Sequence, residues 1–531
     1  MYSARVAAIP AFALRDTDGR AHACPSLRAQ LLVFAHEACP TCELMLPIVE
    51  RAHAAFGAAC DVAIIAQDED GGRALREKHG LRVPFLDDSA LAVSFAAELD
   101  AVPTTVLLAP GGAELARFEG FARADWRELF TRLCELSGVA APAVDWARLP
   151  ELRPGCGSRT NDPEIAERLA ARASGSPLRA RRLEVGEADD VFEFLFDQNL
   201  TDGLPVVPPT PERVTRMLAG SSRSPQDIVA TVPPNYAPAT LEKIAINAVM
   251  AGCKPAYLPV VIAALEAVCT NEFNMHGVLA TTFFPTPVLI VNGPIRARIG
   301  LNSGMNCLGQ GNRANATIGR AVQLVVRNLG GGRPGEVDRA TLGQPGKFTM
   351  CFAENEERSD WEPLHVERGF ARDESTVTAF AGGAPMGFID QLARDARTLA
   401  TSYGLVLAGA GHPKQYMHGE IVVVVPPEHV DTFKRDGWTK NQVRARIQEV
   451  TSRPLSELVR DDYCAEGLPV ELVEKLGADA RFSKFRAPTD ITLVVAGGEA
   501  GKFGAYFQGW VSGPLGSIMT TRKINEAGGQ R

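Results

Sequence analysis

The sequence predicts an α/β protein of two units, a smaller one at the N-terminus and a larger mixed α/β unit behind it. Three observations predict this. The chain has 531 residues, several times the roughly 150 of a typical domain. Short continuous apolar runs alternate with amphipathic stretches, the pattern of strands buried on both faces between helices. A Pro-rich, partly basic segment breaks that pattern once, over residues 138–185.

In order, the first unit begins with the hairpin-like Phe12–Gly19 and the run Leu31-Leu32-Val33-Phe34. Cys42–Phe56 then reads as a helix, Val62–Ile65 as a strand and Gly71–His79 as a helix. Ala90–Leu99 (helix), Thr104–Leu108 (strand) and Ala124–Leu136 (helix) complete the unit, the last with Trp126, Leu129, Phe130 and Leu133 on one stripe. These bounds give a domain over residues 1–137, a linker over 138–185 with a short helix near Pro163–Ala173, and a second domain over 186–531.

In the second domain the strand candidates are Val288–Val291, Phe348–Phe352, Gly404–Leu407, Ile421–Val425 and Ile491–Ala496. Leu241–Ala251, Tyr257–Val268, Ala316–Asn328, Ile389–Thr401 and Asn441–Val450 read as helices. Two glycine-rich stretches, 300–311 and 497–516, hint at a degenerate internal duplication.

Composition narrows the function classes. Hydrophobic residues make up 46% and charged residues 22%, which excludes a disordered chain or a coiled-coil rod. A net charge of -8 argues against a nucleic-acid platform. No apolar run reaches the ~20 residues of a membrane helix. The opening Met1-Tyr2-Ser3-Ala4-Arg5 lacks a secretory apolar stretch, so a cytoplasmic protein without membrane contact is expected. Eleven cysteines, an odd and scattered number, suggest reduced thiols rather than a disulfide scaffold.

Only Cys39-Pro40-Thr41-Cys42 has motif spacing. It follows a buried run and opens a helix, where free backbone N–H groups and the positive end of the dipole stabilise a thiolate. Pro40 suits the first helical turn, and Pro47 should kink the helix. A structural zinc site would need a second such pair, and the chain has none. No cofactor or metal is therefore expected.

With Phe12–Gly19, Cys39-Pro40-Thr41-Cys42 and Val102-Pro103-Thr104, residues 1–137 resemble the thioredoxin superfamily, in its branch of peroxiredoxin-like and cytochrome-maturation reductases. The resemblance implies a thioredoxin-like fold and a cis Pro103 that faces the dithiol and helps hold an extended substrate. Two departures stand out. Ala38 replaces the family's tryptophan, and the carboxylate of Glu37 beside it should disfavour the thiolate. His36 stands where a peroxiredoxin needs a hydroxyl, which favours disulfide exchange over peroxide reduction.

Residues 183–531 resemble a bacterial family to which no reaction attaches, so its candidates come from the residues alone. Cys253 beside Lys254 could be a reactive thiol, or a small buried side chain in a tight turn. The loop around Asn302 and Cys307, feeding a helix with Arg313 and Arg320, could cradle an anion or simply be a hydrogen-bonded loop capped by Asn315. His276, and His412 with His418 and Glu420, could carry protons or be structural. Lys502, in a glycine loop after a strand, could bind an anion or sit in a flexible turn.

The expected activity is thiol–disulfide exchange. Cys39 attacks and Cys42 resolves, and the larger domain supplies a thiol or a bound substrate, with Cys253 and Cys307 as recipients. The partners are then a thiol or disulfide substrate and an external reductase. The rival is a lyase or hydrolase in the larger domain acting on a small anion, with the first domain as redox support or docking module.

Overall fold

The computed structural model describes residues 8–162, 165–166, 169, 177–186, 190–417, 419–513 and 515–525, and the chain divides into compact units at 183/184. The short helix expected near Pro163–Ala173 and the opening residues 1–7 lie largely or wholly outside the described residues, as does His418.

In the first unit, β1 (Phe12–Arg15) and β2 (Ala21–Cys24) form an antiparallel hairpin. β3 (Ala29–Ala35) is buried at every position, as an apolar run flanked by helices requires. After it come α1 (Pro40–Phe56), β4 (Cys60–Ala66), α2 (Glu69–His79), β5 (Phe85–Asp87) and the short α3 (Ala92–Ala96). Then follow β6 (Ala101–Val102), β7 (Thr104–Leu108), β8 (Glu114–Glu119), β9 (Phe121–Ala122) and α4 (Arg123–Ser137). The five-stranded sheet runs β5-β4-β3-β7-β8, with β3, β4 and β5 parallel and β7 and β8 antiparallel. This is the thioredoxin-like α/β arrangement.

Two caps explain the bounds of α2. Asp68 accepts from the Gly71 N–H at 2.8 Å, and Gly80 ends the helix in the left-handed region at φ 59°. The expected stripe of α4 is buried in full: Trp126 packs edge-on against Phe118 at 5.9 Å and Phe130 at 5.8 Å.

Residues 138–161 return to this unit. Trp146 meets Phe130 edge-on at 5.9 Å, beneath the Arg127 guanidinium at 5.6 Å. The Arg123 side chain donates to the carbonyls of Leu149 and, at 3.0 Å, Pro150. β10 (Leu152–Arg153) then pairs with β9, and β11 (Cys156–Gly157) pairs antiparallel with β6, placing Cys156 opposite Val102.

The second unit is a larger mixed α/β body around a seven-stranded sheet. α5 (Leu241–Ala251) and α6 (Leu258–Val268) precede β12 (Thr286–Asn292); α7 (Arg313–Asn328) crosses over to β13 (Cys351–Ala353), and β14 (Thr376–Ile389) follows. α8 (Ala396–Ala408), β15 (Ile421–Val425), α9 (Lys440–Val450), β16 (Ile491–Val495) and β17 (Phe503–Gly509) repeat the plan, and β18 (Thr520–Lys523) adds to β14. In each half the first strand pairs parallel with the second and antiparallel with the third, and the two third strands pair with each other. The topology is therefore duplicated, but the glycine-rich stretches are not the repeated parts. One follows the first strand of its half and the other follows the second strand. They meet instead, the Gly497 N–H donating to the Ser303 carbonyl at 2.9 Å.

Gly404–Leu407 is helix, not strand. Asp395 caps α8 by accepting from the Thr398 N–H at 2.9 Å, and Ala396, Leu399, Ala400, Tyr403, Gly404 and Leu407 are buried at helical spacing. Gly404 is required by packing, since a Cβ there would lie 2.6 Å from Cβ of Val450 on α9. Likewise Ile389 ends β14 rather than opening a helix.

Candidate functional site

The site forms where β3 delivers the chain to α1. Cys39 is the N-cap of that helix, in extended conformation, and Pro40 occupies the first turn, where its missing N–H costs nothing. The helix continues through Pro47 to Phe56. The Cys42 N–H donates to the Cys39 sulfur at 3.3 Å. When protonated, Cys39 donates to the Val102 carbonyl at 3.4 Å, next to the Val102–Pro103 bond, which is cis. The Pro103 carbonyl itself accepts from the Gly120 N–H at 2.8 Å.

Electrostatics separate the two thiols. The Cys42 thiol hydrogen-bonds to ionised Cys39 and, against the cost of burial, a second thiol, that of Cys156, does the same. With the helix N–H groups they bring the Cys39 thiol down to about 5. Burial pushes Cys42 far up, and the neighbouring Cys39 charge adds to it. One sulfur is thus held as the thiolate and the other keeps its proton. Glu37 does not govern this balance. Its carboxylate lies against the start of α2, 2.7 Å from where a Cβ on Gly71 would sit.

Cys156 is the residue sequence reasoning missed. Read as part of a linker, it gave no periodic signal, and only the pairing of β11 with β6 brings it to the dithiol. The strap carrying it is fixed on both sides. Thr41, inside the dithiol motif, donates to the Pro154 carbonyl at 2.8 Å. The Ser158 N–H donates to the Asp100 carbonyl at 3.1 Å, and Gln67 donates to the Ser158 hydroxyl at 2.8 Å. Arg159 pairs with Asp68 at 2.6 Å. Beneath this strap Cys39 is 0% and Cys42 1% exposed.

Gly155 makes that closeness possible, because a Cβ there would lie 2.8 Å from the Val102 carbonyl oxygen. Gly155→Val is expected to lift the strap, at about 1–3 kcal/mol of overpacking. Alkylation of Cys39 should then speed up roughly ten- to hundredfold, as the open population grows. Peptide mapping after timed iodoacetamide treatment checks this; an unchanged rate would show that the strap does not guard the sulfur.

Cys253 is buried, donates to the Thr317 carbonyl at 3.3 Å and is pushed up to about 12 by that burial. Cys307 is buried too and stands at about 11 for the same reason. Neither sulfur is presented to solvent. Lys254 and His276 are exposed, the latter on a six-residue helix. Arg313 donates to the Gly252 carbonyl at 2.8 Å, beside Cys253.

Asn302 and Cys307 are joined through Asn315, which accepts from the Asn302 N–H at 2.8 Å and donates to the Cys307 carbonyl at 3.0 Å. The cap of α7 is therefore Asn312, not Asn315. Arg320 is held by Asp202 at 2.7 Å. These bonds are spent on the loop itself, as a structural loop requires. His412 accepts from the Lys414 N–H at 3.1 Å, and its carbonyl takes the buried Lys484 ammonium at 2.7 Å. Lys502 contributes its carbonyl to the Asp390 N–H at 3.3 Å. Among the described residues no group of three or more His, Cys, Asp or Glu is arranged to hold a metal ion, and no single helix is long and apolar enough to cross a membrane.

No family model and no curated protein matches this chain. Among solved structures, the chain is similar to the exposed lipoprotein thioredoxin of Streptococcus pneumoniae, at 19% identity over 24% of this chain and 100% of that one, with TM-score 0.21. It is similar to the thioredoxin domain of a thiol-disulfide oxidoreductase from Bacteroides vulgatus, at 16% identity over 25% and 98%, TM-score 0.22. StoA from Bacillus subtilis matches at 18% identity over 23% and 96%, TM-score 0.21. These likenesses concern about a quarter of the chain.

Proposed function

We propose that this protein is a thiol–disulfide oxidoreductase in which Cys39 attacks and Cys42 resolves. The observation that carries the reading is the Cys39 sulfur at the N-cap of α1, hydrogen-bonded by the Cys42 N–H and thiol and held near 5. A thiolate at neutral pH is the species that attacks a disulfide. Cys42 keeps its proton until Cys39 is engaged, and then completes an intramolecular disulfide that releases the substrate thiol. Pro103, beside the sulfur, is the residue we assign to holding an extended substrate.

The low value also sets direction. The free thiol titrates at about 9, so folding favours the Cys39 thiolate. That contribution to the reduced chain is complete above pH 9, declines below it and is lost as pH falls through about 5. The disulfide form gains nothing of the kind, which makes the couple more oxidising.

The substrate is a thiol or disulfide from outside this pair, with an external redox protein regenerating the dithiol. The larger unit is the element we assign to binding that substrate. Burial of Cys253 and Cys307 speaks against a relay through either sulfur. The cytoplasmic setting belongs to the same proposal. The test is a titration of the reduced full chain with a small aromatic disulfide. One disulfide consumed per chain, with a Cys39–Cys42 bond formed, is the expected result. A chain that leaves the reagent intact would overturn the reading.

A further inference from the structure

Three thiols, not two, meet at the cis Pro103. Cys39 reaches the Val102 carbonyl from the helix side at 3.4 Å, and Cys156 stands opposite the same residue on the paired strand β11. Each of the two thiols perturbs the other's ionisation, as neighbouring sulfurs do. Of the three cysteines only Cys156 reaches solvent. Its strand lies in extended form along the backbone at 101–102, beside the Pro103 assigned above to holding an extended substrate. The fixing bonds at Thr41, Asp100 and Gln67 hold it there, with Gly155 permitting contact no other residue would allow.

We propose that Cys156 is a second resolving thiol and its strap a resident substrate, trading the Cys39–Cys42 disulfide for a Cys39–Cys156 disulfide. The step rests on the exchange chemistry proposed above. The Cys156 thiolate attacks Sγ of Cys39; the Cys39–Cys42 bond breaks, and its electron pair leaves on Cys42, which takes up the proton Cys156 gave to water. One disulfide replaces another with no net oxidation. The same attack on Cys39 carrying a mixed disulfide expels the external thiol. Either route fastens residues 152–157 over the attacking sulfur, so the substrate approach is closed in that form.

Non-reducing peptide mapping of the full chain, equilibrated across a series of reduced and oxidised glutathione ratios and quenched in acid, tests this. In the wild-type chain both Cys39–Cys42 and Cys39–Cys156 linkages are expected. In Cys42→Ser the Cys39–Cys156 linkage should dominate, and glutathione on Cys39 should be at least about tenfold lower than in Cys42→Ser/Cys156→Ser, because the tethered thiol outcompetes free glutathione. Absence of the 39–156 linkage from the wild-type chain at every ratio would overturn the inference, whether or not the variants fold. If Cys39–Cys42 still forms in that case, the exchange reading stands and only the role of Cys156 falls. If Cys39 forms no disulfide at all, both fall.

Discussion

Cys39→Ser is expected to reduce disulfide exchange by the full chain roughly 10³-fold or more, the scale on which loss of a catalytic nucleophile is felt. A serine hydroxyl stays protonated at neutral pH and forms no bond of comparable stability with sulfur. Ten other cysteines remain in the chain. The described surroundings of several push the thiol up by burial: Cys60 and Cys307 to about 11, Cys253 and Cys269 to about 12. Those sulfurs should not take over. Residual exchange above one tenth of the wild-type rate would mean that the attacking sulfur lies elsewhere.

Trp126→Ala is expected to cost the first unit about 3–5 kcal/mol. The indole is wholly buried and joins Phe118 to Phe130, which in turn carries Trp146 and, through it, the start of the strap. The chain has two compact units, so a single unfolding midpoint is a poor readout. Hydrogen exchange at β3, the central strand, is the better one, because its slowest amides report opening of this unit alone. Protection there should fall by at least about two orders of magnitude. A loss of less than 1 kcal/mol would show that the aromatic cluster does not hold the unit.

Much of the first unit was legible in the sequence, and for a physical reason. β3, β4 and β7 are short apolar runs without competing periodicity, and α2 and α4 carry caps and stripes that local chemistry specifies. Cys39 was legible because its spacing and its helix start coincide. Cys156 was not. Its place beside the dithiol depends on a pairing with β6 that joins residues more than fifty positions apart, and a two-residue strand has no period to read. The effect of Glu37 was misjudged for a related reason. Nearness in sequence does not say where a carboxylate points, and this one faces α2.

In the second unit, Gly404–Leu407 misled because four residues cannot distinguish a buried strand from one face of a buried helix. β14 was missed because its Gly382-Gly383 and Pro385 resemble a turn. Those residues fall at an irregularity in its pairing with β17. The glycine- and asparagine-rich loop looked like an anion cradle, yet Asn302, Asn306, Asn312 and Asn315 spend their side chains on the loop's own backbone.

The claim on which the rest depends is that Cys39 is ionised at neutral pH. Its rate of alkylation by iodoacetamide in the reduced full chain, followed by peptide mapping from pH 4 to 10, measures this directly, since the strap's protection scales the rate without moving the midpoint. The midpoint is expected near 5, with a flat profile from neutrality upward. A rate that climbs tenfold per pH unit up to about 9, like an ordinary thiol, would contradict the account.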